Sequence, residues 1–218
     1  MVKALAIKEL RETAGIAVLA LVVYAAVTSS LAGLPLFTMF SGQPTEVPFA
    51  GRTFDKIFGL LSGLFATALG FRQSAWESGR GTFLFLLHRP MSRDRIFLVK
   101  MATGLALYFA CALVPIVLYA AWAAVPGNHP SPFAWSMTAS AWSLYLTVPL
   151  VYFGAFLSGV RPARWYGTRL LPWAAAALLL AVLASEPLSL MASSALALAA
   201  YGLMLAAIHY VTATRDYA

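Results

Sequence analysis

Long stretches of this chain contain no charged residue, and they constrain its fold more than any other feature of the sequence. The first covers residues 14–37 and holds 24 residues without Asp, Glu, Lys or Arg. An α-helix needs about 20 mostly apolar residues to cross a bilayer. Over the whole chain, 61% of residues are hydrophobic and 11% are charged, whereas soluble domains carry about 25% charged residues. The sequence therefore predicts an all-α integral membrane protein and excludes an ordinary soluble enzyme.

Six apolar runs predict six transmembrane helices in a single domain covering residues 1–218. The runs lie at residues 14–37, 57–71, 101–125, 135–159, 170–184 and 188–211. Five crossings is the alternative, in which the last two runs, separated by Ser185-Glu186-Pro187, are re-entrant. A cleaved signal peptide is the alternative for the first run. Its length exceeds the usual signal-peptide core of about 7–15 apolar residues, so we expect it to remain as a span.

Basic residues lie almost entirely on one side of this arrangement. With the N-terminus inside, 13 of the 15 Lys and Arg residues fall in inner segments, and only Arg52 and Lys56 fall in outer loops. Cytoplasmic loops of membrane proteins carry such an excess of positive charge. The distribution predicts a multi-pass protein of the plasma (inner) membrane with both termini in the cytoplasm. It also accounts for the net charge of +7 without a nucleic-acid partner.

Residues 1–13 are predicted to form a separate amphipathic helix in the inner membrane interface. Val2, Leu5, Ala6 and Leu10 recur at helical spacing between charged residues, a pattern typical of interfacial helices. A frayed basic flank of the first span is the alternative.

The spans predict neither ion-driven transport nor catalysis. None has a charged residue at its centre, although proton- and ion-coupled carriers need such groups. The sequence has no phosphate-binding G-x-x-x-x-G-K-[ST] loop and no metal-ligand motif. An intramembrane hydrolase built on Ser62 and His209 is a remote alternative, because Leu60 stands where a Gly-x-Ser-Gly motif requires glycine. We expect no catalytic residue, no metal site and no directly bound cofactor.

The longest polar segment, residues 72–100, lies on the inner side between spans two and three. Its apolar core at residues 83–87 is too short to cross a membrane and is predicted to form a short surface helix. Pro90 ends that helix because the residue before a proline disfavours helical geometry. Ser92 then offers an N-cap to the helix leading into span three, with Asp94 in its first turn. This order predicts a docking element that faces the cytoplasm.

The same segment resembles the permease subunits of ABC-2 type ABC transporters. Residues 77–100 match the pattern E-x3-G-T-x3-L-L-x2-P-x-S-R-x2-I-x3-K, which these subunits carry after their second transmembrane helix. The six-span topology and the cytoplasmic termini agree with that family. The outer loops are short, so the large extracellular domains of some eukaryotic relatives are absent.

The resemblance implies a transmembrane permease subunit, of exporter type by the family's default. It would pair with a second copy or a paralogue to form the substrate pathway. Separate cytosolic ABC ATPase subunits would bind and hydrolyse ATP and would dock on a coupling helix within residues 79–90. The residues assigned to this coupling are Glu77, Gly81, Thr82, Phe83, Phe85, Leu86, Arg89, Pro90, Ser92 and Arg93.

Within this set, Glu77 would pair with a basic group of the ATPase, while Phe83, Phe85 and Leu86 would fill a cleft in it. A membrane anchor or sensor that resembles a permease but transports nothing is the alternative function. Membrane lipid is the alternative partner for the arginines, since anionic headgroups attract basic segments next to the membrane.

The predicted topology can be tested by labelling single cysteines from either side of the membrane. Cysteines replacing Gln43 and Asn128 should react with an impermeant reagent added outside. Those replacing Ser78 and Ala163 should react only when the inner face is accessible. Labelling of position 163 from outside would contradict the six-span arrangement.

Overall fold

The computed structural model describes residues 2–33, 47–50, 52–80, 91–128, 132–164, 167–185 and 190–214, and no strand occurs within these ranges. The helices are α1 (Val2–Leu31), α2 (Thr53–Arg80), α3 (Arg93–Ala124), α4 (Ala139–Thr147), α5 (Pro149–Val160), α6 (Leu171–Ser185) and α7 (Leu190–Thr214). A 3-10 turn at Trp135–Thr138 precedes α4. The predicted all-α fold class is confirmed.

Five helical segments are long and apolar enough to cross a bilayer. They are Val2–Leu31, Thr53–Glu77, Arg93–Ala124, Trp135–Val160 and Met191–Thr214. Helix α6 has 15 residues, which gives about 22 Å of helix against a hydrocarbon core of about 30 Å. The described helices thus fit a multi-pass membrane protein. A sixth crossing by α6 stays a prediction, and Glu186 and Pro187, which follow α6 in the chain, lie outside the described residues.

Residues 2–31 form one continuous helix, in place of the separate interfacial helix predicted for residues 1–13. No proline interrupts this stretch, and buried residues recur along one face of the whole helix. They include Leu5, Glu9, Thr13, Ala17 and Tyr24. Because that face packs continuously on its neighbours, the first turns of α1 extend the span rather than lying apart from it.

Helices α1, α2 and α3 alternate in direction. Glu9, Glu77 and Lys100 meet at one end of the three helices, and the rings of Phe54 and Tyr119 stack 5.0 Å apart towards the other. We call the end that contains Lys8, Glu77 and Lys100 the polar end. The predicted inner segments on either side of residues 81–90 therefore emerge from the same end of the bundle.

A proline divides the fourth apolar segment into α4 and α5. Pro149 has no backbone N–H, so the helix loses a hydrogen bond there and nearby carbonyl oxygens need other donors. The hydroxyl of Tyr108 donates to the carbonyl of Tyr145 at 3.5 Å, and the hydroxyl of Tyr201 donates to that of Leu146. Neighbouring helices thus satisfy the backbone groups that the break exposes, as a membrane-spanning segment requires.

Small residues bring α2 and α5 into close contact. A Cβ added to Gly70 would lie 2.7 Å from both Ala155 Cβ and the Tyr152 carbonyl oxygen, and one added to Gly159 would lie 2.0 Å from Ser74 Oγ. The G-x-x-x-G pair in the same helix behaves differently. A Cβ on Gly63 would meet nothing within 4 Å among the described atoms, and one on Gly59 would make an ordinary contact with Leu144. Gly70, further along α2, is therefore the close-packing glycine.

Alanine substitutions at Gly70 and Gly63 provide a matched test of this packing. Gly63→Ala should be neutral or up to about 1 kcal/mol stabilising, because alanine has the higher helix propensity. Gly70→Ala should reduce the free energy of unfolding by about 1–3 kcal/mol through overpacking. Unfolding in mixed micelles, followed by circular dichroism, measures both. Equal stability of the two variants would contradict the α2–α5 contact.

Candidate functional site

Three charged residues from three helices meet inside the polar end. Lys100 Nζ on α3 lies 2.7 Å from Glu9 Oε1 on α1 and 2.7 Å from Glu77 Oε2 on α2. The exposed side-chain fractions of Lys100, Glu9 and Glu77 are 0%, 1% and 4%. An ammonium group is therefore held between two carboxylates, out of contact with water.

A second lysine completes this cluster at its outer edge. Lys8 Nζ lies 2.7 Å from the other oxygen of Glu77, Oε1, and 3.5 Å from Glu12 Oε1. Lys8 keeps about a third of its side chain exposed. Two lysines thus balance the buried carboxylates of Glu9 and Glu77. We name Lys8, Glu9, Glu77 and Lys100 the charge cluster.

An amide and a phenol extend the charge cluster to α5. The side-chain nitrogen of Gln73 donates to Glu9 Oε2 at 3.2 Å and to the Lys100 carbonyl at 3.1 Å. Its side-chain oxygen accepts a hydrogen bond of 2.7 Å from the Tyr152 hydroxyl. Gln73 and Tyr152 are fully or almost fully buried. Polar contacts therefore join α1, α2, α3 and α5. Of the side chains that make these contacts, Lys8 is partly exposed and the others are buried.

Residues spaced four apart place the groups of this polar network on the same faces of their helices. Gln73 and Glu77 are four residues apart on α2 and so share a face. Lys100 and Gly104 do the same on α3. A Cβ on Gly104 would lie 2.2 Å from the Gln73 side-chain oxygen and 2.6 Å from the Tyr152 hydroxyl, so glycine leaves the space that the amide and the phenol occupy.

The charge cluster contributes more to fixing the relative positions of the helices than to the net free energy of folding. Burying two ion pairs costs desolvation energy that the Coulomb attraction repays only in good geometry. Removing one partner, however, leaves an uncompensated buried charge and costs about 3–5 kcal/mol. The cluster therefore fixes the relative positions of α1, α2 and α3, because sliding one helix along another would separate opposite charges.

The structure describes three of the ten residues predicted to couple to an ATPase. Glu77 is buried and paired with lysines of its own chain, so its side chain does not face outward as predicted. Ser92 occupies the N-cap position of α3, but its side chain makes no capping hydrogen bond. Arg93 is exposed on the first turn of α3. The other seven, Gly81, Thr82, Phe83, Phe85, Leu86, Arg89 and Pro90, lie outside the described residues.

Glu9, Gln73 and Lys100 were not predicted to be members of a site. The charge pattern assigns Lys100 to the basic residues of a cytoplasmic loop, although its side chain has no exposed surface. The available signal was the coincidence of opposite charges about two turns inside the ends of α1 and α3, together with the Gln73–Glu77 spacing.

The charge cluster connects helices through ion pairs within its own chain. Both buried carboxylates are engaged by ammonium groups, and no group of three or more His, Cys, Asp or Glu able to hold a metal occurs in the described ranges. The remote hydrolase pair is not brought together. Ser62 hydrogen-bonds to the Tyr24 hydroxyl at 2.7 Å in the interior, whereas His209 is exposed and lies 3.7 Å from Asp94 at the polar end.

Comparison of the chain with protein-family models, with curated proteins and with solved structures gave no match. Function must therefore be inferred from the sequence pattern and from the geometry of the polar end.

Removal of Lys100 should reveal the cost of breaking the charge cluster. Lys100→Met should lower the free energy of unfolding by about 3–5 kcal/mol, because Glu9 and Glu77 then lose their shared cation. Lys3→Met removes an exposed lysine from the same end and should change stability by no more than about 0.5 kcal/mol. Unfolding in mixed micelles compares the two, and similar effects would argue against the cluster.

Proposed function

We propose that this chain is the permease subunit of an ABC-2 type ABC transporter, with six spans and both termini in the cytoplasm. It would form the substrate pathway with a second copy or a paralogue, and separate cytosolic ATPase subunits would supply the energy. The observation that carries this proposal is the relation between the resemblance pattern and the charge cluster. Glu77 and Lys100, the first and last residues of the pattern, form a buried ion pair of 2.7 Å.

This ion pair joins the end of α2 to the start of α3, on either side of the segment that connects them. Helix α2 continues to Arg80, beyond its apolar part, and α3 begins at Arg93, so residues 81–92 connect two helices that are fixed to each other at the polar end. Ile96, another residue of the pattern, is 1% exposed and packs with Leu5 and Val99. Some residues of the pattern are thus buried and anchor the connecting segment to the helices. Others are the residues proposed to dock an ATPase.

This arrangement supports a revised role for Glu77. It is a positioning residue, because its two oxygens bind Lys100 and Lys8 rather than an incoming subunit. Arg93 keeps the proposed docking role, since its side chain is exposed at the start of α3. A force applied to residues 81–92 would pass through Glu77 and Lys100 to α1, and through Gln73 to Tyr152 on α5.

The proposed mechanism is alternating access. ATP-driven closure of two ATPase subunits would push the two coupling segments together. Since α1, α2 and α3 are joined by the charge cluster, they would move as one unit. The substrate pathway would then shift at the contact between the two permease subunits.

The partner requirement can be tested by affinity purification in mild detergent. The full chain should retain a P-loop ATPase, and the chain purified alone should not hydrolyse ATP. Replacing residues 79–90 with an unrelated amphipathic helix should abolish ATPase recovery while membrane insertion is unchanged. Unaltered recovery after that replacement, or ATP hydrolysis by the isolated chain with contamination excluded, would overturn the proposal.

Two arginines on the first turn of α3 give a matched test of docking. Lysine keeps the charge of arginine but lacks its planar donor fork. Arg93→Lys should weaken ATPase binding by about tenfold, which corresponds to one charge-assisted hydrogen bond. Arg95→Lys, at an exposed residue whose identity the pattern does not specify, should have little effect. If the two variants behave alike in a pull-down titration, Arg93 has no specific contact.

A further inference from the structure

An apolar groove with one cation lies near the polar end, on the outside of the helices joined by the charge cluster. It has a volume of about 540 Å³ and runs between Ile16 on α1, Ala68, Phe71, Arg72 and Trp76 on α2, and Leu170 just before α6. Its volume falls within the range of about 300–1,000 Å³ that is usual for small-molecule sites. None of these residues belongs to the charge cluster.

Arg72 lacks an anionic partner in the described part of the chain. Its guanidinium lies 4.9 Å from the centre of the Trp76 ring. One of its nitrogens, Nη1, is buried without a hydrogen-bond acceptor among the described residues. The buried carboxylates of Glu9 and Glu77 are already bound to Lys100 and Lys8. Among the described residues, Arg72 is thus a half-buried arginine with no carboxylate paired to it.

Such an arginine is costly within a membrane unless an anion is present. Phosphate oxygens match the planar donor fork of a guanidinium, and the cytoplasmic leaflet supplies them on anionic lipids. Trp76, which is 49% exposed, is a residue type enriched at the level of lipid headgroups. In the same groove as Arg72, Ile16, Ala68 and Leu170 offer an apolar surface that a free ion would leave uncovered and an acyl chain would cover.

We propose that this groove binds one anionic phospholipid of the inner leaflet, with its phosphate on Arg72 and an acyl chain along Ile16, Ala68 and Leu170. None of the groove's lining residues belongs to the residues proposed to dock an ATPase, so the two proposals can be tested separately. A bound lipid would neutralise Arg72 and fill the space between α1, α2 and the start of α6.

The test is lipid binding to the full chain, purified in a neutral detergent and measured by native mass spectrometry. Phosphatidylglycerol should bind about tenfold more tightly than zwitterionic phosphatidylcholine, as expected for one charge-assisted contact. Arg72→Gln should remove this preference. Arg95→Gln removes the same charge from an exposed residue outside the groove and should leave it unchanged. Ala68→Phe, which fills the groove without altering charge, should weaken phosphatidylglycerol binding.

Three results would overturn the proposal. The first is equal binding of the two lipids to the unmodified chain, which requires no variant to fold. The second is an equal loss in Arg72→Gln and Arg95→Gln, which would indicate general attraction to basic residues. The third is competition by inorganic phosphate together with normal binding in Ala68→Phe, which would indicate a free-anion site. Circular dichroism of each variant establishes that it is folded before binding is compared.

Discussion

A lysine without access to water constrains the rest of this structure. The ammonium group of Lys100 has no exposed surface, and its charge is tolerable only because Glu9 and Glu77 contact it from two other helices. The ion pairs therefore fix the axial position of each of these helices and the face that it turns towards the others. Gln73 and Tyr152 extend the same requirement to α5, and Gly104 leaves the space in which they meet.

The ion pair between Glu77 and Lys100 also fixes the segment that connects α2 and α3, because the two residues lie on either side of it. Glu77 lies one turn before the end of α2, and Lys100 lies two turns after the start of α3. Their ion pair fixes both ends of the connection that carries the resemblance to ABC-2 permeases. A connection anchored in this way can transmit displacement to the bundle, whereas a loop between loosely packed helices would absorb it. This physical reason supports a coupling role for the segment.

The sequence predicted elements better than contacts. Apolar runs anticipated α3, α7 and the part of α1 that follows residue 13, because helix length and hydrophobicity are local properties. The burial of Lys100 was not predictable from charge asymmetry, which treats each lysine as a loop residue. The choice of Gly70 over Gly59 and Gly63 depends on Ala155 and Tyr152, about 85 residues further along the chain. The pairing of Glu77 within its own chain was not predicted for the same reason, since its partners lie on α1 and α3.

A double-mutant cycle on Glu9 and Lys100 tests the central claim most directly. Glu9→Gln, Lys100→Met and the double variant would be unfolded in mixed micelles, and the coupling free energy would be taken from the three differences. Because the double variant leaves no unpaired charge between these two positions, it should lose at least about 2 kcal/mol less than the sum of the single losses. Additivity to within about 0.5 kcal/mol would contradict the account.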